Sequence, residues 1–144
     1  ASMGMVELER YDDDMLVRRK AIFDRYTDAF SKFDWAWVPV YETPERQSSY
    51  HVYMLRIKKI DEATRDAVIS GIFERKVAVN VHFVPLPMMT FYKRVGYDID
   101  DFPVSFDNYS SEISLPVYYD LSDEMVDTVI NAVKETVVSI LGIQ

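Results

Sequence analysis

The stretch from Val77 to Tyr92, VAVNVHFVPLPMMTFY, limits the possible folds of this chain more than any other. Strand alternation puts Val77, Val79, Val81 and Phe83 on one side and Ala78, Asn80 and His82 on the other. Pro85 and Pro87 then withhold backbone donors and end the strand. Asn80 and His82 are thereby delivered together to an irregular loop, a common place for ligand contact. Residue type alone leaves two readings of His82, a ligand contact or a half-buried histidine that caps the loop.

The flanking segments predict the frame. Val6 to Phe33 reads as one long helix, with Leu8, Tyr11, Met15, Ile22, Tyr26, Phe30 and Phe33 forming a single apolar stripe. Trp35 to Tyr41 is a short aromatic strand that Pro39 places at an edge. Thr43 to Ser48 reads as a loop. Ser49 to Ile57 is apolar on both faces and so reads as the central strand, with His51 in a structural role at its start. Asp61 is placed to cap a helix running to about Arg75, whose Ala67, Val68, Gly71 and Ile72 would face the sheet. Ser49 to Phe83 is thus a strand–helix–strand unit.

Met88 to Val95 predicts a short helix or turn carrying Phe91, Tyr92, Lys93 and Arg94. Its two cations could meet an anionic ligand or form the basic last turn that a helix dipole favours. Tyr97 to Phe102 is an acidic loop without the spacing or glycine of a calcium site. Pro103 starts a helix expected to reach about Ser114, and Leu115 to Leu121 is extended. Ser122 then caps the last helix, with Asp123 and Glu124 in its first turn and Leu121 and Val126 in staple positions. The fold class is α+β: a small sheet of about three strands packed with helices, between long N-terminal and C-terminal helices.

Composition excludes several functions. At 144 residues, with 49% hydrophobic and 28% charged, the chain is one globular domain able to bury a core. A formal charge of −8 argues against a general nucleic-acid or anionic-membrane binder. No apolar run approaches the roughly 18–20 residues of a bilayer span, and no secretory signal is visible, so the expected location is cytoplasmic. Without cysteine, disulfides, thiol catalysis and cysteine zinc sites are excluded. Only His51 and His82 could act as neutral-pH bases, and the four glycines are scattered and build no phosphate-cradling loop. Residues 1–5, Ala-Ser-Met-Gly-Met, read as a cloning scar before an internal start, leaving residues 6–144 as the domain.

Three segments in order carry a resemblance. They are VELERYDDDMLVRRKAIFDRYTDAF, then SSYHVYMLRI followed by a helix and VNVHFVPLPMMTFYKRVGY, then DDFPVSFDNYSSEISLPVYYDLSDEMVDTVINAV. Together they resemble the C-terminal part of the DegT/DnrJ/StrS family of pyridoxal-phosphate-dependent sugar aminotransferases. The resemblance implies the small domain of a fold-type-I enzyme whose large domain, with the Schiff-base lysine, lies upstream. None of the lysines here matches that lysine. The implied enzyme uses pyridoxal phosphate, with none bound to this chain alone, which would carry no catalytic residue of its own. It acts on a nucleotide-linked keto-sugar in cell-surface polysaccharide or amino-sugar biosynthesis, takes its amino group from glutamate and forms a homodimer. By the same resemblance His82 faces the substrate cleft, Pro85 and Leu86 shape the loop behind it, and Asn80, Tyr92 and Lys93 assist in contacting substrate or phosphates. The face that meets the large domain would be apolar and prone to self-association. A free-standing α+β module that binds a small ligand or a protein is the alternative.

Overall fold

The computed structural model describes residues 2–143. Its C-terminal helix, α6 (Asp123–Leu141), forms as the sequence dictates. The Ser122 hydroxyl accepts a hydrogen bond from the Met125 amide at 3.3 Å, and Leu121 and Val126 are buried on either side of the cap. Val126, Val129, Val133 and Val137 form the buried stripe, and Gly142 ends the helix in the left-handed conformation.

The expected single N-terminal helix is divided. Helix α1 (Ser2–Glu9) leads into a π-helical turn, Tyr11–Met15, and then α2 (Leu16–Phe30). The Met15 amide reaches back five residues to the Arg10 carbonyl at 3.2 Å, which inserts an extra residue and rotates the stripe. Leu8 is consequently exposed, whereas Ile22, Phe23, Tyr26 and Phe30 are buried. Phe33 follows the helix and stacks on Trp35 at 5.2 Å. Residue Ala1 of the proposed scar lies outside the described residues, and residues 2–5 continue α1.

Strands β1 (Ala36–Trp37), β4 (Tyr53–Ile57) and β5 (Glu112–Leu115) form one antiparallel sheet in the order β1-β4-β5. A separate hairpin, β2 (Glu42–Thr43) and β3 (Arg46–Gln47), occupies the predicted loop. β4 is central, as expected, but apolar on one face only. Tyr53, Leu55 and Ile57 are fully buried, Met54 is exposed and Arg56 half-buried. His51 precedes the strand and is exposed, so it does not share the buried face. The inner face packs on α2, where the Phe23 ring lies edge-on to Tyr53 at 5.0 Å and Tyr50 at 5.4 Å.

The third strand is not the one the alternation suggested. The segment from Val77 to Phe83 makes a single bridge, Asn80 to Ser114, on the free edge of β5. In that register the next bonded pairs would be Ala78 with Pro116 and His82 with Glu112. Pro116 has no N–H to give. The Glu112 carbonyl faces the guanidinium of Arg65, Nη1 at 3.4 Å. The ladder therefore stops in both directions, Val77 is buried and Phe83 is exposed. β5 itself replaces the last turn expected of α5 (Pro103–Ser111). Ser110 and Ser111 hydroxyls bond back to the Asp107 carbonyl at 3.2 and 2.8 Å, and the chain then straightens.

Helix α3 (Glu62–Glu74) starts at Asp61, whose carboxylate accepts from the Thr64 amide at 2.8 Å. Its close approach is to α6 and not to the sheet, because a Cβ on Gly71 would lie 2.7 Å from Thr136 Cγ2. Ala67, expected on the inner face, is exposed. Arg65 is instead the deeply buried residue of α3, at 2% exposure. Its Nη1 also donates to the Tyr109 carbonyl at 2.7 Å, its Nε pairs with Asp66 at 2.7 Å, and the guanidinium lies 4.8 Å from the Tyr109 ring centre. Short turns at Leu86–Met88 and Ile99–Asp101 flank helix α4 (Thr90–Arg94).

Arg65→Ala leaves two carbonyls of the α5–β5 junction without this donor. It should cost about 3 kcal/mol in urea unfolding, and Arg65→Lys, which lacks the planar fork, should recover less than half of that loss.

Candidate functional site

The outer face of the sheet carries the polar residues. Register sets Trp37, Arg56 and Glu112 side by side across β1, β4 and β5. The next row runs Met54, Ser114 and, through the single bridge, Asn80. His82 follows Asn80 beyond the edge of β5. A cleft of about 560 Å³ opens over the first row, lined by Trp37, Arg46, Arg56, His82, Tyr109 and Glu112 among others. A second, of about 420 Å³, lies over the second row and is lined by His51, Asn80, His82, Ser114 and Tyr118 among others. His82 belongs to both.

Two charged groups of the first cleft, Arg56 and Glu112, are held in place. The Arg56 guanidinium lies 3.6 Å from the Trp37 ring centre, and its Nη1 donates to Asn108 Oδ1. The Glu112 carboxylate, 4% exposed, accepts from the His82 amide at 3.1 Å through Oε2 and from the Ser114 hydroxyl through Oε1. Burial pushes the Glu112 carboxyl up from its ordinary value. The Ser114 and His82 hydrogen bonds and the nearby charges of His82 and Arg65 oppose that rise without cancelling it. The His82 ring stands edge-on to Phe83 at 4.6 Å, and its Nδ1 is shielded from solvent with no hydrogen-bond partner among the described residues.

The sequence-predicted site residues divide into two groups. Asn80 and His82 are brought together, with His51 added from the far side of the second cleft. Tyr92 and Lys93 stand on α4 and line neither cleft. Arg56, Trp37 and Glu112 were not singled out by sequence. Their signals were an arginine inside YMLRI and the Glu-Ile-Ser-Leu alternation at the end of a serine-rich helix. No group of three metal-ligating side chains exists among the described residues. Neither cleft is lined by a lysine. Lys20 is paired with Asp24 at 3.0 Å and Lys58 donates to the Asp34 carbonyl at 3.0 Å. These residues do not fit an imine anchor for pyridoxal phosphate, and no step of such chemistry is assigned to them.

Comparison with known proteins decides what this scaffold is. The sequence model of the DegT/DnrJ/EryC1/StrS aminotransferase family matches residues 1–134. The chain belongs to this aminotransferase family. The spore coat polysaccharide biosynthesis protein SpsC of Bacillus subtilis is 35% identical over 140 residues, covering 95% of this chain and 36% of SpsC. Spr1654 of Streptococcus pneumoniae, assigned as a sugar aminotransferase, has in its apo form a TM-score of 0.93 at 35% identity, over 98% of this chain and 35% of that one. PseC of Helicobacter pylori shares the fold alone, with a TM-score of 0.84 at 20% identity over 94% of this chain and 36% of that one. The chain thus spans about a third of the length of the relatives it matches. No helix among the described residues is long and apolar enough to cross a membrane.

In this family member the buried Glu112 predicts a pH signature. With its carboxyl raised by burial, the folded state holds the proton more tightly than the unfolded state. The Glu112 contribution is therefore most favourable at or below the unfolded value and declines as pH rises from 4.5 through the raised folded value. Glu112→Gln should remove that component, so that the difference in urea midpoint between variant and wild type grows in favour of the variant from pH 4.5 to 7.5.

Proposed function

We propose that this chain supplies the C-terminal domain of a pyridoxal-phosphate-dependent aminotransferase acting on a nucleotide-linked keto-sugar, and that its His82 clefts form one wall of the substrate site. The observation that carries this reading is the His82 imidazole, set where two clefts meet, with Nδ1 shielded from solvent and without a hydrogen-bond partner among the described residues. A sugar hydroxyl or phosphate oxygen would complete it. Arg56, steadied on Trp37, supplies positive charge to the same cleft, and Asn80 offers its amide to the second.

The family and the names of the relatives support the wider reading. Sugar transamination is named for Spr1654 and spore coat polysaccharide synthesis for SpsC, which favours a cell-surface polysaccharide or amino-sugar pathway. The cofactor and its lysine then belong to polypeptide outside this chain, glutamate is the amino donor, and the working enzyme is a cytoplasmic homodimer. This domain is not catalytic alone. It closes the cleft, orients the sugar and excludes water. Tyr92 and Lys93, which line neither cleft, are assigned to the substrate or its phosphates by the family resemblance alone. The net charge of −8 fits a soluble enzyme with neither nucleic acid nor membrane as partner.

In the full-length enzyme, His82→Ala should lower kcat/KM for the keto-sugar by about tenfold to a hundredfold, the loss of one strong hydrogen bond. The glutamate half-reaction and the melting temperature should stay at their wild-type values. Steady-state kinetics on both substrates check this, and an unaltered sugar kcat/KM would remove His82 from the site.

A further inference from the structure

We infer that Glu112 is a positioning residue: its buried carboxylate takes the place of its own backbone carbonyl as acceptor for the His82 amide, and so holds the His82 loop against the sheet at the height of the cleft. The consequence for turnover rests on the reading of His82 given above; the geometry does not.

The basis lies in the register. Asn80 and Ser114 exchange both hydrogen bonds, Asn80 N to Ser114 O at 3.2 Å and Ser114 N to Asn80 O at 2.7 Å. Two residues further on, an ordinary ladder would have the His82 amide donate to the Glu112 carbonyl. That carbonyl instead faces Arg65 Nη1. The His82 amide bonds to Oε2 of the same residue at 3.1 Å, so a side chain is interposed between two segments that would otherwise zip together. Ser114, one bridge back, donates to Oε1 and fixes the carboxylate from the other side. Both oxygens are thereby used, and the residue is 4% exposed.

Such an arrangement is costly for stability alone. A buried carboxylate without a close cationic partner loses hydration that two neutral donors only partly replace. Of the nearby charges, Arg65 is engaged with Asp66 and backbone carbonyls, and His82 meets the carboxylate through its backbone amide. An apolar side chain of similar length would fill the space. What it would not do is accept from the His82 amide, and then the loop would have no tie to β5 beyond Asn80.

The test uses the full-length enzyme and compares Glu112→Met, Glu112→Gln and His82→Ala. Glu112→Met should speed hydrogen exchange at least tenfold in the peptide spanning residues 80–85 and lower kcat/KM for the keto-sugar about tenfold. Its melting temperature should remain within a few degrees of wild type. Glu112→Gln keeps one acceptor for the His82 amide and should restore most of both losses. The double variant His82→Ala/Glu112→Met should be no slower than His82→Ala alone, because Glu112 acts through His82. Unchanged exchange in Glu112→Met would overturn the inference, and so would additive losses in the double variant. Faster exchange beside a silent His82→Ala would leave the positioning standing and remove the substrate reading. If Glu112→Met does not fold, Ser114→Ala, which frees one carboxylate oxygen, takes its place in the exchange measurement. Faster exchange in residues 80–85 of that variant then supports the positioning, and unchanged exchange overturns it.

Discussion

The Arg65 guanidinium is the contact on which the rest of the arrangement turns. A charge at 2% exposure is tolerable only when its donors are used, and here they go to Asp66, Glu62, the Tyr109 carbonyl and the Glu112 carbonyl. The two carbonyls mark the point where α5 becomes β5. One side chain of α3 thus fastens the helix that packs on α6 to the strand that completes the sheet. It also occupies the carbonyl that the His82 segment would need to continue as a fourth strand. The loop stays irregular because a neighbouring helix has taken its acceptor.

The sheet separates two kinds of work. Its inner face, Tyr53, Leu55, Ile57, Ile113 and Leu115, is packed against aromatic residues of α2 and supplies burial energy. Its outer face carries Trp37, Arg56, Glu112, Ser114 and Asn80 in register, at spacings fixed by the strands. Groups set on strands are held more firmly than groups set on loops. Asn80 and His82 stand off the strands, Asn80 tied to Ser114 by the single bridge and His82 to Glu112 by its amide. The fold itself is shared with PseC at only 20% identity, as expected where an inner face needs apolar volume more than particular side chains.

Much of this was legible in the sequence, and the gaps have physical causes. Helix α6 and the start of α3 could be read because their caps are local: Ser122 with Met125, and Asp61 with Thr64. The central place of β4 could be read from its inner apolar residues. β5 could not, because Glu112, Ile113 and Ser114 were absorbed into the helical pattern before them, and only Leu115 was read as extended. The strand expected at Val77–Phe83 failed for reasons that lie elsewhere in the chain, at Arg65 and Pro116. The π-helical turn that exposes Leu8 has no signature in a periodicity count. His82 and Asn80 were found from alternation beside a proline stop. Arg56 and Glu112 become visible as site residues only when two strands from distant parts of the chain are laid side by side.

The pairing of β4 with β5, Tyr53 opposite Leu115, has a consequence for how the polypeptide acquires its shape during synthesis. α3, the His82 loop, α4 and α5 all leave the ribosome between those two strands, so β4 has one open margin for the whole of that interval. Until β5 arrives to close it, Met54 and Arg56 face outward beside unpaired backbone groups, the kind of surface that chaperones cover. The outer-face grid of Trp37, Arg56, Glu112 and Ser114 therefore comes into being late, when the four residues of β5 slot in and Arg65 finds its carbonyls.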